Sequence, residues 1–155
     1  MNIPTCSTHA CAIEELNPKL KNALRLHGKQ YELEDIESNV LMCCETRSVL
    51  QKSGLFGGTE EITFSAAYIT PKWLVWANTA NGNAASSGSA QLRNIETRDY
   101  ESTAMFAIVP NHGLNITGRY TDVNKTGMTF ISLGSEPDGQ NFRHVLKEAL
   151  KRAAK

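Results

Sequence analysis

No run in this 155-residue chain approaches the ~20 apolar residues that a transmembrane helix needs. Its first residues, MNIPTCSTHACAIEEL, have neither a basic head nor an apolar core, so they do not read as a secretory signal. Charge of either sign is not in excess: 16 Lys and Arg balance 16 Asp and Glu. That balance removes the electrostatic reason to expect nucleic acid or an acidic membrane as the main partner. Cysteine is scarce. Cys6, Cys11 and the vicinal pair Cys43 and Cys44 do not have the spacing of a disulfide framework, and no CxxC suggests a redox pair. These absences predict a soluble, cytoplasmic protein with no nucleic-acid partner, long enough for one ordinary domain with a real core.

Catalytic signatures are also missing. The glycines are scattered, and none forms a strand–glycine–helix phosphate loop. His112, within Pro-Asn-His-Gly, reads as a turn residue, and His144 reads as a boundary residue on a helix. Neither has a Ser, Cys or carboxylate at a spacing that suggests a triad. Glu96, Asp99 and Glu101 read as a solvated loop rather than an acid–base pair. Cys6, His9 and Cys11 are the candidates for a metal, but Cys-x4-Cys with an inserted His is not a standard zinc knuckle. The expectation is a non-catalytic protein without metal or cofactor; the alternative is an enzyme whose site is assembled only in the fold.

What is present is strand pattern. Residues 62–77, ITFSAAYITPKWLVWA, hold two apolar runs joined by Thr70-Pro71-Lys72-Trp73. Ile62, Phe64, Ala66 and Tyr68 share one face by the period-two rule. Pro71 suits the second position of a type I turn, with Lys72 as the solvated tip. The stretch from Trp73 to Trp76 is apolar on both faces, which predicts cover on both sides: core on one, a helix on the other.

In chain order, residues 1–15 lack a pattern and read as a poorly ordered tail. Asn17-Pro18 opens a helix carrying Leu20, Ala23, Leu24 and His27, with Gly28 as its stop. Residues 31–38 read as a short helix or a turn. Strands follow at 40–52, 62–69, 73–77, 90–95, 102–109, 114–120 and 128–133, with a long polar loop over 78–89. The chain closes on an amphipathic helix, with Ser135 or Asp138 as N-cap and a stripe of Phe142, Val145, Leu146, Ala149 and Ala153.

Seven strands in meander order ended by one amphipathic helix are the layout of the pleckstrin-homology superfold. The hairpin ITPKWLVWA, residues 69–77, resembles that of bacterial pleckstrin-homology-like (PH-like) domains, and QLRNI, residues 91–95, resembles the motif that often follows it. The likeness covers about residues 40–153. It implies a mainly β, α+β fold: a seven-stranded bent antiparallel barrel over residues 40–155, closed by the C-terminal helix. Residues 1–39 are then an N-terminal extension, tail plus short helix. PH-like barrels serve lipid, peptide and scaffold roles alike, so the resemblance implies a binding or scaffolding module. Phosphoinositide-binding members carry a Lys late in the first strand and an Arg pair in the second. Lys52 matches the first, but residues 62–69 contain no Lys or Arg, which argues against a phosphoinositide ligand.

One loop stands out. Gly54-Leu55-Phe56-Gly57-Gly58 sets two large apolar residues between glycines where a loop should be polar. Either they fold back over the open barrel end, or they project as a contact tip. Lys52, Leu55 and Phe56 are therefore the candidate contact residues, for a protein partner or a second copy of the chain. A lipid surface is the alternative; a membrane tip is usually ringed by basic residues, and here Glu60 and Glu61 stand just behind Lys52.

Overall fold

The computed structural model describes residues 3–33, 37–55, 57–80, 84–121 and 125–154. Among these residues the fold is mainly antiparallel sheet, with eight strands in two sheets and two α-helices. The larger sheet runs in sequence order: β1 (Thr5–Ala10), β2 (Met42–Lys52), β3 (Thr59–Ile69), β4 (Trp73–Ala80) and β5 (Ser86–Gln91). The smaller holds β6 (Ile95–Asp99), β7 (Gly113–Arg119) and β8 (Thr126–Ser132). Helix α1 (Pro18–Gln30) precedes β2 and helix α2 (Pro137–Ala153) follows β8. No helix among the described residues is long and apolar enough to cross a membrane.

Side-chain alternation sorts the larger sheet into two cores. Leu74 and Trp76 face inward with Met42, Cys44, Ala67 and Ile69, against Leu114, Ile116 and Ile131 of the smaller sheet and Phe142, Leu146 and Ala149 of α2. Val75 and Ala77 face outward with Cys43, Ala66 and Tyr68, and meet Leu20 and Leu24 of α1 together with Ile13 and Leu16. The two-sided cover expected for residues 73–76 is therefore present, and α1 covers the outer face. Burying a Leu of this kind stabilises by roughly 1.5–3 kcal/mol. α1 starts as expected, with Pro18 in its first turn and Asn17 Oδ1 accepting the Lys19 N–H at 3.0 Å.

Its end differs from expectation. Gly28 is buried inside the last turn, and the stop lies beyond it, where Leu33 N–H donates to Gly28 O at 3.0 Å and Glu32 N–H to Lys29 O at 3.3 Å. This is a Schellman motif whose left-handed position, usually glycine, is Glu32 at φ 50°. At the other helix, the N-cap is Glu136 followed by Pro137, not Ser135 or Asp138.

The expected tail at residues 5–10 is a strand. β1 pairs with β2 along its whole length, from Thr5 opposite Val49 to Ala10 opposite Cys44. Thr8 Oγ1 lies 2.8 Å from Thr46 Oγ1 and accepts the Gly134 N–H at 2.8 Å, which ties this strand to the turn before α2.

The strand expected over residues 102–109 is instead two 3-10 turns, Tyr100–Ser102 and Ala104–Ala107. Local bonds win there: the hydroxyls of Ser102, Thr103 and Tyr100 donate to the carbonyls of Asp99, Tyr100 and Val109. The polar stretch 78–89 holds the end of β4 and most of β5. One of its small residues, Gly88, makes room for Trp76, whose ring lies over it; a Cβ there would come within 2.6 Å of the ring.

The expected strand at 90–95 is broken by a 3-10 turn, Leu92–Asn94, which is where the chain leaves one sheet for the other. The seven expected strands thus become eight, and the sheets are two rather than one closed ladder. Thr121 N–H donates to Ser89 O at 2.9 Å, linking the chain after β7 to the free edge of β5.

Candidate functional site

β2 and β3 make the longest ladder of the molecule, eleven residues on each side, from Met42 opposite Ile69 to Lys52 opposite Thr59. Beyond the last pair, Gly57 N–H donates to Gly54 O at 3.4 Å, closing a turn over Leu55. Gly57 sits at φ 118°, a conformation that needs glycine. Leu55 is 98% exposed. Phe56 lies outside the described residues. Lys52 forms an ion pair with Glu61, and Gln51 Nε2 donates to Glu60 Oε1 at 2.7 Å, so the stem below the tip is a solvated ribbon with one acid in excess. At a surface this open such pairs contribute little, about 0–1 kcal/mol.

Below the tip, between the two sheets, is a cleft of about 260 Å³. Its walls come from β2, β3, β4 and β8 with Pro4 and Asn111 beside them, and set Ser48, Thr63, Asn78 and Asn111 alongside Leu50 and Phe130. The chain matches no protein-family model, no curated protein and no solved structure.

The metal candidates do not converge. Cys6 and His9 stand on opposite faces of β1, because side chains three apart in a strand alternate. Cys6 Sγ lies 3.6 Å from Ser48 Oγ, His9 Nε2 lies 4.0 Å from Glu45 Oε2, and Cys11 donates its N–H to Cys43 O at 3.1 Å. Among the described residues no group of three or more His, Cys, Asp or Glu side chains could hold a metal ion. Burial pushes the Cys6 and Cys11 thiols up, and those of Cys43 and Cys44 far above the ordinary range. Cys43 and Cys44 point to opposite faces of β2, and both thiols are buried, since each face is covered.

The acidic loop is better organised than the sequence suggests. Arg143 on α2 donates to Glu101 Oε2 at 2.9 Å and to Asp99 Oδ1 at 3.0 Å, and Gly113 N–H reaches Glu101 Oε1 at 2.7 Å. His112 Nδ1 lies 3.7 Å from the same carboxylate. Partial burial pushes the Glu101 carboxyl up, but the Arg143 and Gly113 hydrogen bonds outweigh it and hold the group below its ordinary value. These contacts fasten the 3-10 segment to α2. His144 is exposed on the same helix and joins none of them.

Two arrangements had no expectation attached. His27, expected only as a member of the α1 stripe, is buried between Ser87 Oγ at 3.1 Å and Ser89 Oγ at 2.7 Å. Ser89 Oγ passes the chain on to Thr121 Oγ1 at 2.8 Å. The second is a cavity of about 420 Å³ at the far end of β3, where Lys72, Trp73 and Arg93 meet the end of α1. Its sequence signal was present but split: Lys72 looked like a solvated turn tip, and Arg93 is distant from it in the chain.

Proposed function

We propose that this protein is a non-catalytic binding module that holds a protein partner, or a second copy of itself, at the tip between β2 and β3. The observation that carries the reading is Leu55, 98% exposed on a turn at the end of an eleven-residue ladder. Among the described residues Leu55 is the most exposed large apolar side chain, and it stands at a tip that a partner can reach. The paired Lys52 and the acidic stem favour a protein surface over an anionic bilayer, which is drawn to clusters of free cations. The cleft below the tip offers polar groups for orienting whatever Leu55 contacts.

The PH-like reading belongs with this proposal. Four strands β2–β5, three strands β6–β8 and the closing helix α2 keep the order that the resemblance implies, and β1 with α1 is the addition before them. We read the two sheets as halves of a bent barrel sharing the core around Leu74, Ile116 and Phe142.

A photo-crosslinker placed at position 55 in the living cell tests the contact, with exposed Met128 as the control position. A discrete adduct at 55 and none at 128 is expected; self-adducts would identify the second copy as the partner. No adduct at 55, together with sedimentation on lipid vesicles that Leu55→Ser abolishes, would replace the protein partner with a membrane.

A further inference from the structure

We infer that the cavity between the end of α1, the β3–β4 turn and the 3-10 turn at Leu92–Asn94 is a second binding site, for a small aromatic carboxylate. At about 420 Å³ it lies within the ~300–1,000 Å³ range of small-molecule sites. It sits at the opposite end of β3 from Leu55, an eleven-residue strand of roughly 35 Å. It goes beyond the module reading and does not depend on it.

Backbone geometry brings two cations to one rim. Lys72 O accepts the Leu92 N–H at 2.8 Å, so Lys72 and Arg93 are held as neighbours although twenty-one positions separate them. Gln91 Oε1 accepts the Arg93 Nε–H at 2.9 Å, fixing the guanidinium at that end. No carboxylate among the described residues forms an ion pair with either cation. Two like charges lining one cavity repel each other, and an anion bound within it relieves that. Arg93 retains terminal nitrogens of the kind that grip a carboxylate with two parallel bonds.

The rest of the lining explains why the anion should carry a ring. Trp73, directly opposite Gln91 in the β4–β5 ladder, and Tyr31 at the end of α1 contribute aromatic surface to the same cavity. Flat rings bind by stacking on or edging against such surfaces. The walls are also preformed: the Schellman end of α1 holds Tyr31 and Glu32, and Thr70 Oγ1 accepts the N–H of Trp73 at 2.9 Å and of Lys72 at 3.3 Å. Glu32, in the left-handed region, is the one acid in the lining and opposes an incoming anion.

The test uses naphthalene-2-carboxylate as the probe, with the neutral carboxamide and acetate as controls, read by the indole N–H signal of Trp73 in two-dimensional NMR. Saturable shifts at Trp73 are expected, with the carboxamide and acetate each about 10-fold weaker or more. Lys72→Gln with Arg93→Gln should weaken the probe by about 10-fold or more, whereas Glu32→Gln should tighten it about 2- to 5-fold. All three side chains belong to exposed residues, so these variants should fold, which circular dichroism checks. Equal binding of acid and amide, shifts centred on Trp76 instead of Trp73, or a double variant that binds like the parent would each overturn the site.

Discussion

Thr8 donates its backbone N–H to Glu136 Oε1 at 2.6 Å, and two residues further along the strand Ala10 donates to Asp138 Oδ2 at 2.8 Å. An edge strand presents a row of unpaired donors that invites pairing with another chain. Here two of those donors end on carboxylates at the start of α2. Glu136→Ala with Asp138→Ala should therefore cost about 1–3 kcal/mol and release amide protection at Thr8 and Ala10. Unchanged exchange at those two amides would mean that the β1–β2 ladder alone holds the strand.

The thiols should divide by depth. Cys43 and Cys44 should stay unmodified in native protein and react only after denaturation, because burial keeps both protonated. Cys6 and Cys11, half-buried with raised thiols, should react more slowly than a free cysteine, not at the rate of a loose tail. Burst labelling of Cys6 would contradict the β1 pairing.

Acid should loosen the 3-10 segment through Glu101. Its folded pKa is depressed, so its contribution is fully present above the ordinary value of 4.5 and is lost as pH falls through the folded value. The wild type should therefore lose more melting temperature than Glu101→Gln between about pH 6 and pH 3. Parallel pH profiles for the two proteins would show that the Arg143 contacts add nothing to stability.

Glu32→Gly should stabilise the protein by about 0.5–1 kcal/mol. A left-handed conformation strains a side-chain-bearing residue by ~1–2 kcal/mol, and glycine returns only part of that as unfolded-state entropy. Urea denaturation gives the answer, and a lower midpoint for the variant would refute it.

Both helices should prove indispensable. Phe142→Ala should cost about 3–5 kcal/mol and Leu24→Ala about 2–5, because one plugs the inner core and the other the outer. Removing residues 1–39 should leave Ala66, Tyr68, Val75 and Ala77 facing water and give an aggregating protein. A soluble, cooperatively melting fragment from residue 40 onward would show that the outer core is dispensable.

The parts of this fold that the sequence made legible are those whose signal is local and apolar. Residues 62–77 announced a hairpin and its two-sided cover, Asn17-Pro18 announced a helix start, and Phe142 through Ala149 announced a buried stripe. Misreadings arose where partners lie far away or where side-chain hydroxyls compete for the backbone. TCSTHA carries little hydrophobic signal, and its strand depends on β2 and on Glu136 and Asp138. Residues 102–109 look extended by composition, but nearby hydroxyls claim the carbonyls first. Of the candidate contacts, Lys52 and Leu55 sit where a hairpin tip should be. The Lys72–Arg93 rim could not be seen, because its halves are distant in the chain and are joined only by the β4–β5 pairing and the Lys72–Leu92 backbone bond.

The carboxylates that cap β1 lie 128 residues downstream of the amides they receive. At ~5–20 residues per second, a ribosome needs roughly 6–25 s to make that stretch. Once β2 has paired with β1, the nascent edge stands open beside its neighbours on the same message for the rest of that interval. Escape from co-translational clumping then rests on how soon α2 emerges, so a pause placed shortly before codon 136 should lower the yield of native protein more than one placed after codon 153.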